Sequence, residues 1–159
     1  DYPTGLYNRN TAGKMIRDSR RSRQGMQALL LIKIGNFYQV NERYGHTAVD
    51  KAIQDFAAKL RSCFRKGDIL ARYGGDEFVV FVLDVPSWKF IEEKCNKLMK
   101  EIHLLVQDET DLECWIGAAV ASEENKDQNF FMELLGQADQ ALNQAKQKGK
   151  NQWHLYEGI

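Results

Sequence analysis

The sequence has few cysteines, no excess of either charge and no long hydrophobic run. Cys63, Cys95 and Cys114 lie far apart and form no C-x-x-C pair, which argues against a disulfide framework or a structural zinc site. Lys plus Arg and Asp plus Glu number 22 each, so no net field attracts DNA. No stretch approaches the roughly 20 apolar residues of a membrane helix, and no signal-peptide pattern is visible. These absences favour the reducing cytoplasm, without DNA binding or membrane contact by this segment.

The residues that are present suffice for one globular domain. The chain has 159 residues, of which 43% are hydrophobic and 28% are charged, and it contains no repeat or low-complexity segment. We therefore expect a single domain spanning residues 1–159.

Apolar spacing and turn residues predict ten elements in the order α-β-α-α-β-β-α-β-α-β. Helices are predicted from Asn8 or Thr11 to Ser22, over 37–44, over 48–64 with an end at Gly67, from 86–87 onward, and over 129–148. Strands are predicted over 27–34, 69–73, 78–83, 114–121 and, at a sheet edge, 153–156. Because strands and helices do not alternate strictly, this order indicates an α+β fold. We expect a mixed, mainly antiparallel sheet flanked by helices, rather than a doubly wound parallel sheet.

The most informative segment is the turn between the second and third predicted strands. Gly74, Gly75, Asp76 and Glu77 lie between two apolar segments, as at the tip of a β-hairpin. Two carboxylates at such a turn are candidates for metal-assisted chemistry, and ordinary turn acids are the alternative.

Residues 74–78 spell GGDEF, and the chain resembles the GGDEF domain, the diguanylate cyclase family of bacterial second-messenger signalling. Residues 1–9 are similar to the family's D-x-L-T-G-L-x-N-R entrance. Asn41, His46 and Asp50 fall on its N-D-x-x-G-H-x-x-G-D segment, and residues 138–151 resemble its A-D-x-A-L-Y-x-A-K-x-x-G-R-N close. The resemblance implies a ferredoxin-like cyclase palm that joins two GTP molecules into cyclic di-GMP as a homodimer, with Mg²⁺.

The resemblance also points to a changed metal site. In the family, Mg²⁺ is held by the third position of the hairpin signature, here Asp76, and by the first Asp of a D-x-D-x-F-K segment. The alignment places Lys33 at that first Asp, Gly35 at the second Asp and Tyr38 at the Lys. An ammonium about 4 Å from Mg²⁺ is repelled by about 8 kcal/mol at an effective dielectric of about 20. Three outcomes stay open for Lys33: it pairs with Asp76, it contacts a phosphate in place of the metal, or it faces solvent in another register.

Family positions for the nucleotide are largely retained. The resemblance implies that Asp50 and Asn41 read the guanine edge, that Lys146 and Lys150 contact the triphosphate if they share one helical side, and that His46 is structural. It also implies nucleotide-binding roles for Gly74 and Gly75, and catalytic roles for Asp76 and Glu77 if the domain is active. The alternatives are that Asn41 is a helix-terminal polar residue and that Asp50 is a solvated helix acid. For the two lysines, the alternative is a favourable interaction with a helix dipole.

An R-x-x-D pattern precedes the hairpin at Arg65 and Asp68. It matches the inhibitory site at which family members bind cyclic di-GMP, and a surface salt bridge is the alternative.

Three functions follow from these residues. The preferred interpretation is a degenerate GGDEF domain that binds GTP or cyclic di-GMP with little or no cyclase activity. The alternatives are an active homodimeric cyclase and a structural dimerisation domain. Because the chain begins inside a motif and lacks an initiator Met, we expect a domain excised from a larger signalling protein. The rest of that larger protein would contain an upstream sensory domain or a membrane anchor.

Overall fold

Five helices and five strands follow one another in the predicted order within residues 3–22, 25–106, 112–121 and 129–157, which the computed structural model describes. The helices are α1 (Arg9–Ser22), α2 (Phe37–Tyr44), α3 (His46–Cys63), α4 (Trp88–Val106) and α5 (Phe130–Gln147). The strands are β1 (Met26–Gly35), β2 (Ile69–Arg72), β3 (Glu77–Val85), β4 (Glu113–Ala121) and β5 (Gln152–Leu155). Residues 1 and 2 of the entrance motif lie outside the described residues.

The strands form one sheet in the order β2-β3-β1-β4-β5. β1 is antiparallel to both β3 and β4, β2 is antiparallel to β3, and β5 runs parallel to β4 at the edge. The predicted mixed, mainly antiparallel sheet and its edge strand are therefore confirmed.

Helices cover both faces of the sheet, because successive strand side chains point to opposite sides. Leu30 and Ile32 of β1 belong to a buried cluster with α3 and α4, whereas Leu29 and Leu31 belong to a second cluster with α1 and α5. None of the helices in the described ranges is both long and apolar enough to cross a membrane.

Side-chain caps explain two helix starts. The Thr11 amide donates to Asn8 Oδ1 at 2.9 Å at the beginning of α1, and the Phe90 amide donates to Ser87 Oγ at 3.2 Å at the beginning of α4. Both starts were predicted, because Asn and Ser are favoured at helix N-termini.

The predicted span of α3, 48–64, ends within one residue of the observed end at Cys63, but the predicted cause, Gly67, is wrong. The helix ends because Phe64 adopts an extended backbone with φ −122° and ψ 160°. Phe64 is buried in the core with the side chains of α3 and α4, so packing rather than a glycine ends the helix.

Candidate functional site

The GGDEF turn is a short loop, residues 73–76, that is fastened to two strands. The amides of Tyr73 and Gly74 both donate to the Glu77 carbonyl, at 2.8 and 3.1 Å. The Ile34 amide donates to the Asp76 carbonyl at 2.9 Å, which holds the turn against the end of β1. Arg72 Nη2 donates to the Gly75 carbonyl at 2.9 Å. The position of the Asp76 backbone is therefore fixed relative to β1.

A cavity of about 430 Å³ lies beside this turn, and we call it the hairpin cavity. It brings together predicted residues from separate motifs, namely Asn41, His46, Asp50, Gly75 and Asp76. Its walls also include Phe37, Tyr38 and Arg72. Its volume falls in the range of about 300–1,000 Å³ that is common for small-molecule sites. Gly74 is in the turn but is not among the lining residues.

Asn41 lines the hairpin cavity and contains an acceptor atom without a partner among the described residues. Its Oδ1 atom is buried and has no hydrogen-bond partner within the part of the chain that the structure describes. A buried acceptor without a donor costs stability, so a water molecule or a ligand of this cavity would satisfy it. Asp50 lines the same cavity with an exposed carboxylate. The cavity therefore offers two oxygen acceptors to a ligand that carries adjacent N–H donors.

Lys33 forms an ion pair with Glu77, and not with Asp76, which was one of the outcomes left open for it. The Lys33 Nζ and Glu77 Oε1 atoms are 3.9 Å apart, and the two side chains are 31% and 34% exposed. Lys33 is directly opposite Glu77 in the β1–β3 register, so both side chains lie on the same face of the sheet. Asp76 precedes the strand, in the turn. Lys33 is partly exposed to solvent as well as paired with Glu77.

The described residues at this position contain no preformed cluster of metal ligands. Mg²⁺ requires several oxygen ligands in octahedral geometry, usually with one or two carboxylates. Across the described residues, no group of three or more His, Cys, Asp or Glu side chains is arranged to hold a metal ion. The carboxylate that neighbours Asp76 in sequence, Glu77, faces an ammonium group.

The second changed position, Gly35, is closed by an aromatic ring that the sequence reasoning missed. A Cβ atom on Gly35 would lie 2.6 Å from Cζ3 of Trp115. The ring is held in place because Trp115 Nε1 donates to the Gly149 carbonyl at 2.7 Å. No side chain fits at position 35 unless Trp115 moves. No residue close to Gly35 in the sequence predicts this contact, since Trp115 lies on β4, far away along the chain.

The two lysines predicted for the triphosphate do not share a helical side. α5 ends at Gln147 and Gly149 has φ +120°, so Lys146 lies in the last helical turn and Lys150 lies beyond the helix. Lys150 Nζ pairs with Glu113 Oε1 at 3.2 Å, although the lysine side chain is 76% exposed. The condition for a common helical face is not met, because the helix ends before Gly149 and Lys150.

The R-x-x-D pattern forms an interaction that is more buried than a surface salt bridge. The Asp68 side chain is 2% exposed and accepts hydrogen bonds from the amides of Arg65 and Leu83, at 3.0 and 3.1 Å. Arg65 Nε lies 3.6 Å from the same carboxylate, and the guanidinium also donates to the Leu83 carbonyl. Asp68 therefore has a structural role, which the four-residue pattern did not reveal.

A second cavity of about 430 Å³ adjoins this pattern, and we call it the entrance cavity. Arg61, Arg65 and Lys66 contribute cationic side chains, and residues 5–7 of the entrance motif complete its wall. Arg61 Nη1 donates to the Thr4 carbonyl at 2.7 Å. The cavity thus combines positive charge with the two motif residues Arg65 and Asp68.

A mainly antiparallel sheet with a fastened hairpin turn and a polar cavity beside it defines a palm-type domain. The family "Diguanylate cyclase, GGDEF domain" matches residues 1–152, and the chain belongs to this GGDEF family.

Sequence relatives and solved structures agree with this membership. Diguanylate cyclase DgcS of Shewanella oneidensis is 31% identical over 160 residues, which cover 98% of this chain and 52% of that protein. Probable diguanylate cyclase DgcC of Escherichia coli K12 is 31% identical over 156 residues, covering 95% of this chain and 41% of that protein. The chain thus spans about half or less of these relatives. A solved microbial GGDEF domain, studied for its interaction with cyclic di-GMP, is 26% identical with a TM-score of 0.79, covering 98% of this chain and 94% of that one. The expected fold is confirmed.

Proposed function

We propose that this domain acts in cyclic di-GMP signalling by binding a guanine nucleotide, GTP or cyclic di-GMP, with little or no cyclase activity. The observation that carries the proposal is the hairpin cavity, which retains Asn41 and Asp50, while at the end of β1 Lys33 forms an ion pair with Glu77 at 3.9 Å. Asn41 and Asp50 are kept for binding a guanine nucleotide. Lys33, in contrast, replaces a carboxylate that would hold a cation next to the reacting phosphate.

Guanine fits the acceptors of the hairpin cavity. Its Watson–Crick edge presents two adjacent donors, N1–H and the N2 amino group, whereas adenine has an acceptor at N1. Asn41 Oδ1 lacks a partner among the described residues, and the Asp50 carboxylate is a second acceptor in the same cavity. A guanine base would supply both groups with donors.

Cyclisation is disfavoured because of the charge near Asp76. The attack of a 3′-hydroxyl on an α-phosphorus needs the developing negative charge to be stabilised, and divalent cations usually supply this stabilisation. The residues at the end of β1 and in the hairpin turn do not fit such a cation, since an ammonium group is present there. Asp76 and Glu77 are then not sufficient for catalysis.

An active homodimeric cyclase is the second candidate. It is supported by the intact GGDEF turn and by relatives named as diguanylate cyclases. The partners that we propose are a second GGDEF domain and an upstream sensory domain, in a cytoplasmic setting. Relatives about twice as long as this chain leave room for such a domain.

The test combines titration calorimetry with a product assay. We expect GTP to bind more tightly than ATP, and little cyclic di-GMP to form during incubation with GTP and Mg²⁺ or Mn²⁺. Rapid formation of cyclic di-GMP would favour the active enzyme. The absence of heat with both GTP and cyclic di-GMP would leave only a structural dimerisation domain.

Substitution of Asn41 by leucine tests the guanine contact. We expect Asn41→Leu to weaken GTP binding about tenfold or more, because a base donor loses its acceptor. The free energy of unfolding should not fall, since the replaced acceptor is unpaired among the described residues. Gln54→Leu is the matched control: its amide is exposed on α3 and does not line the hairpin cavity. Equal GTP affinities for the two variants would contradict the assignment of Asn41.

A further inference from the structure

An exposed aromatic ring forms part of the wall of the hairpin cavity. Tyr38 of α2 lines this cavity and is 69% exposed. Phe37 lines the same cavity, but it is partly buried and packs against the core cluster that includes side chains of α3 and α4. The Tyr38 ring is therefore an aromatic surface of the cavity that remains accessible to a ligand.

Tyr38 lies on the same side of α2 as the buried acceptor of Asn41. The two residues are three positions apart in this helix, which makes their side chains neighbours, and both line the hairpin cavity. Asp50 of α3 adds its carboxylate to the same cavity. The cavity thus combines acceptors suited to the edge of a base with a ring suited to its face.

The Tyr38 ring is restrained although it is exposed. Its hydroxyl donates to the carboxylate of Glu42, one turn further along α2, and this hydrogen bond raises the pKa of Tyr38 above its ordinary value of 10.0, with a smaller effect of desolvation. A side chain that is already held at one end loses less conformational entropy when a ligand orders it. The phenol is also neutral at pH 7, so it does not repel an anionic nucleotide.

We propose that Tyr38 stacks on the base of the bound guanine nucleotide, so that the hairpin cavity holds the guanosine unit by its face as well as by its edge. The proposal rests on the function proposed above and adds a binding residue to it. Stacking on an aromatic side chain tolerates every base, since every base has a π-face. Tyr38 then contributes affinity, whereas Asn41 and Asp50 contribute the preference for guanine. Because the family pattern has a lysine at position 38, this stacking surface is a feature of this chain.

Calorimetric titration of Tyr38→Ala with guanosine, and with GTP in the presence of Mg²⁺, tests this contact. We expect the affinities for both ligands to fall by the same factor, about tenfold, as for the removal of one base–aromatic contact. Tyr38→Phe keeps the ring and should bind both ligands within about twofold of the parent protein. Tyr44→Ala is the matched control and should bind like the parent protein, since Tyr44 lies on the same helix, is 47% exposed and does not line the hairpin cavity.

The outcomes separate this proposal from the one on which it rests. Equal GTP affinities for Tyr38→Ala and Tyr44→Ala would remove Tyr38 from the site and leave the guanine-binding function intact. A loss for GTP without a loss for guanosine would place Tyr38 at the phosphates, and Tyr38→Phe binding as weakly as Tyr38→Ala would assign the contact to the hydroxyl. Either result would overturn the stacking role. The absence of GTP binding by the parent protein would overturn both proposals.

Discussion

Asp68 shows how a single residue of a binding motif can also hold the fold together. Its carboxylate is almost fully enclosed and accepts hydrogen bonds from two backbone amides, one before β2 and one near the end of β3. Any ligand of the entrance cavity therefore meets a carboxylate that already has partners. Arg65, which is half-exposed, is the motif residue with more freedom to contact a ligand.

We expect Asp68→Ala to lower the free energy of unfolding by about 2–4 kcal/mol, because two amides and a guanidinium lose a charged, buried acceptor. Urea denaturation measures the change. Asp55→Ala is the control, since it removes an exposed partner of Lys51 on α3, with an expected effect below about 1 kcal/mol. Equal losses for the two variants would show that Asp68 has no special structural role.

At the residue scale, the sequence predicted which side chains would meet but not all that surrounds them. Asn41, Asp50 and Asp76 do share one cavity, because the motif spacing fixes their elements. The partner of Lys33 was left open by the sequence, because the strand register decides between Asp76 and Glu77. Trp115 was missed entirely, since its contact with Gly35 depends on the pairing of distant strands.

At the scale of elements, the boundaries set by caps and turns were predictable, whereas the packing that sets other boundaries was not. The α2 helix has the predicted bounds, and the start of α1 is marked by its Asn8 cap. The end of α3 at Cys63 was predicted within one residue, but its cause, the burial of the extended residue Phe64, was not predicted. Because α5 ends before Lys150, Lys146 and Lys150 do not share the helical side from which both could contact a triphosphate.

The contact of α5 with β4 depends on Gly117. A Cβ atom there would lie 2.2 Å from the Ala138 carbonyl oxygen and 2.3 Å from the Leu142 nitrogen, both backbone atoms of α5. We expect Gly117→Ala to lower the free energy of unfolding by about 3 kcal/mol or more, because neither backbone segment can move alone.

Gly136→Ala is the matched control for this prediction. Gly136 lies within the same helix, and a Cβ atom there meets nothing within 4 Å among the described residues. We expect this substitution to raise stability by about 0.5–1 kcal/mol, because alanine favours a helix over glycine. Thermal and urea unfolding should give opposite signs for the two variants, and a stabilising Gly117→Ala would contradict the close approach.

At the scale of the whole molecule, β2 connects the two cavities. Leu70 lines the entrance cavity and Arg72 lines the hairpin cavity. The entrance motif is bonded to the same strand, since the Tyr7 amide donates to the Leu70 carbonyl at 3.2 Å and the Arg72 amide donates to the Tyr7 carbonyl at 2.9 Å. The entrance motif at Tyr7 is therefore hydrogen-bonded to the strand that leads into the GGDEF turn.

The buried thiols connect the stability of the whole domain to pH. Cys95 and Cys114 are fully enclosed in the core. Burial, with a smaller effect of Glu92, raises the pKa of Cys95 to about 12 from an ordinary value of 9.0. Burial raises the pKa of Cys114 as well. Because the folded pKa is raised, the unfolded thiol ionises first. The stabilising contribution is complete below about pH 9 and is lost as the pH rises toward the folded pKa.

We expect this effect to appear as a decline in the free energy of unfolding between pH 8 and 10, to which Cys95 contributes about 1 kcal/mol. Urea denaturation at both pH values, with a reductant present, measures the decline. Cys95→Ala lowers stability at pH 8 through lost packing but should show a shallower decline with pH. Cys63→Ala, at a partly exposed position, should follow the parent protein. Parallel pH profiles for the two variants would mean that Cys95 is ionised equally in the folded and unfolded chains. Burial in the core would then not disfavour the ionised thiol of Cys95.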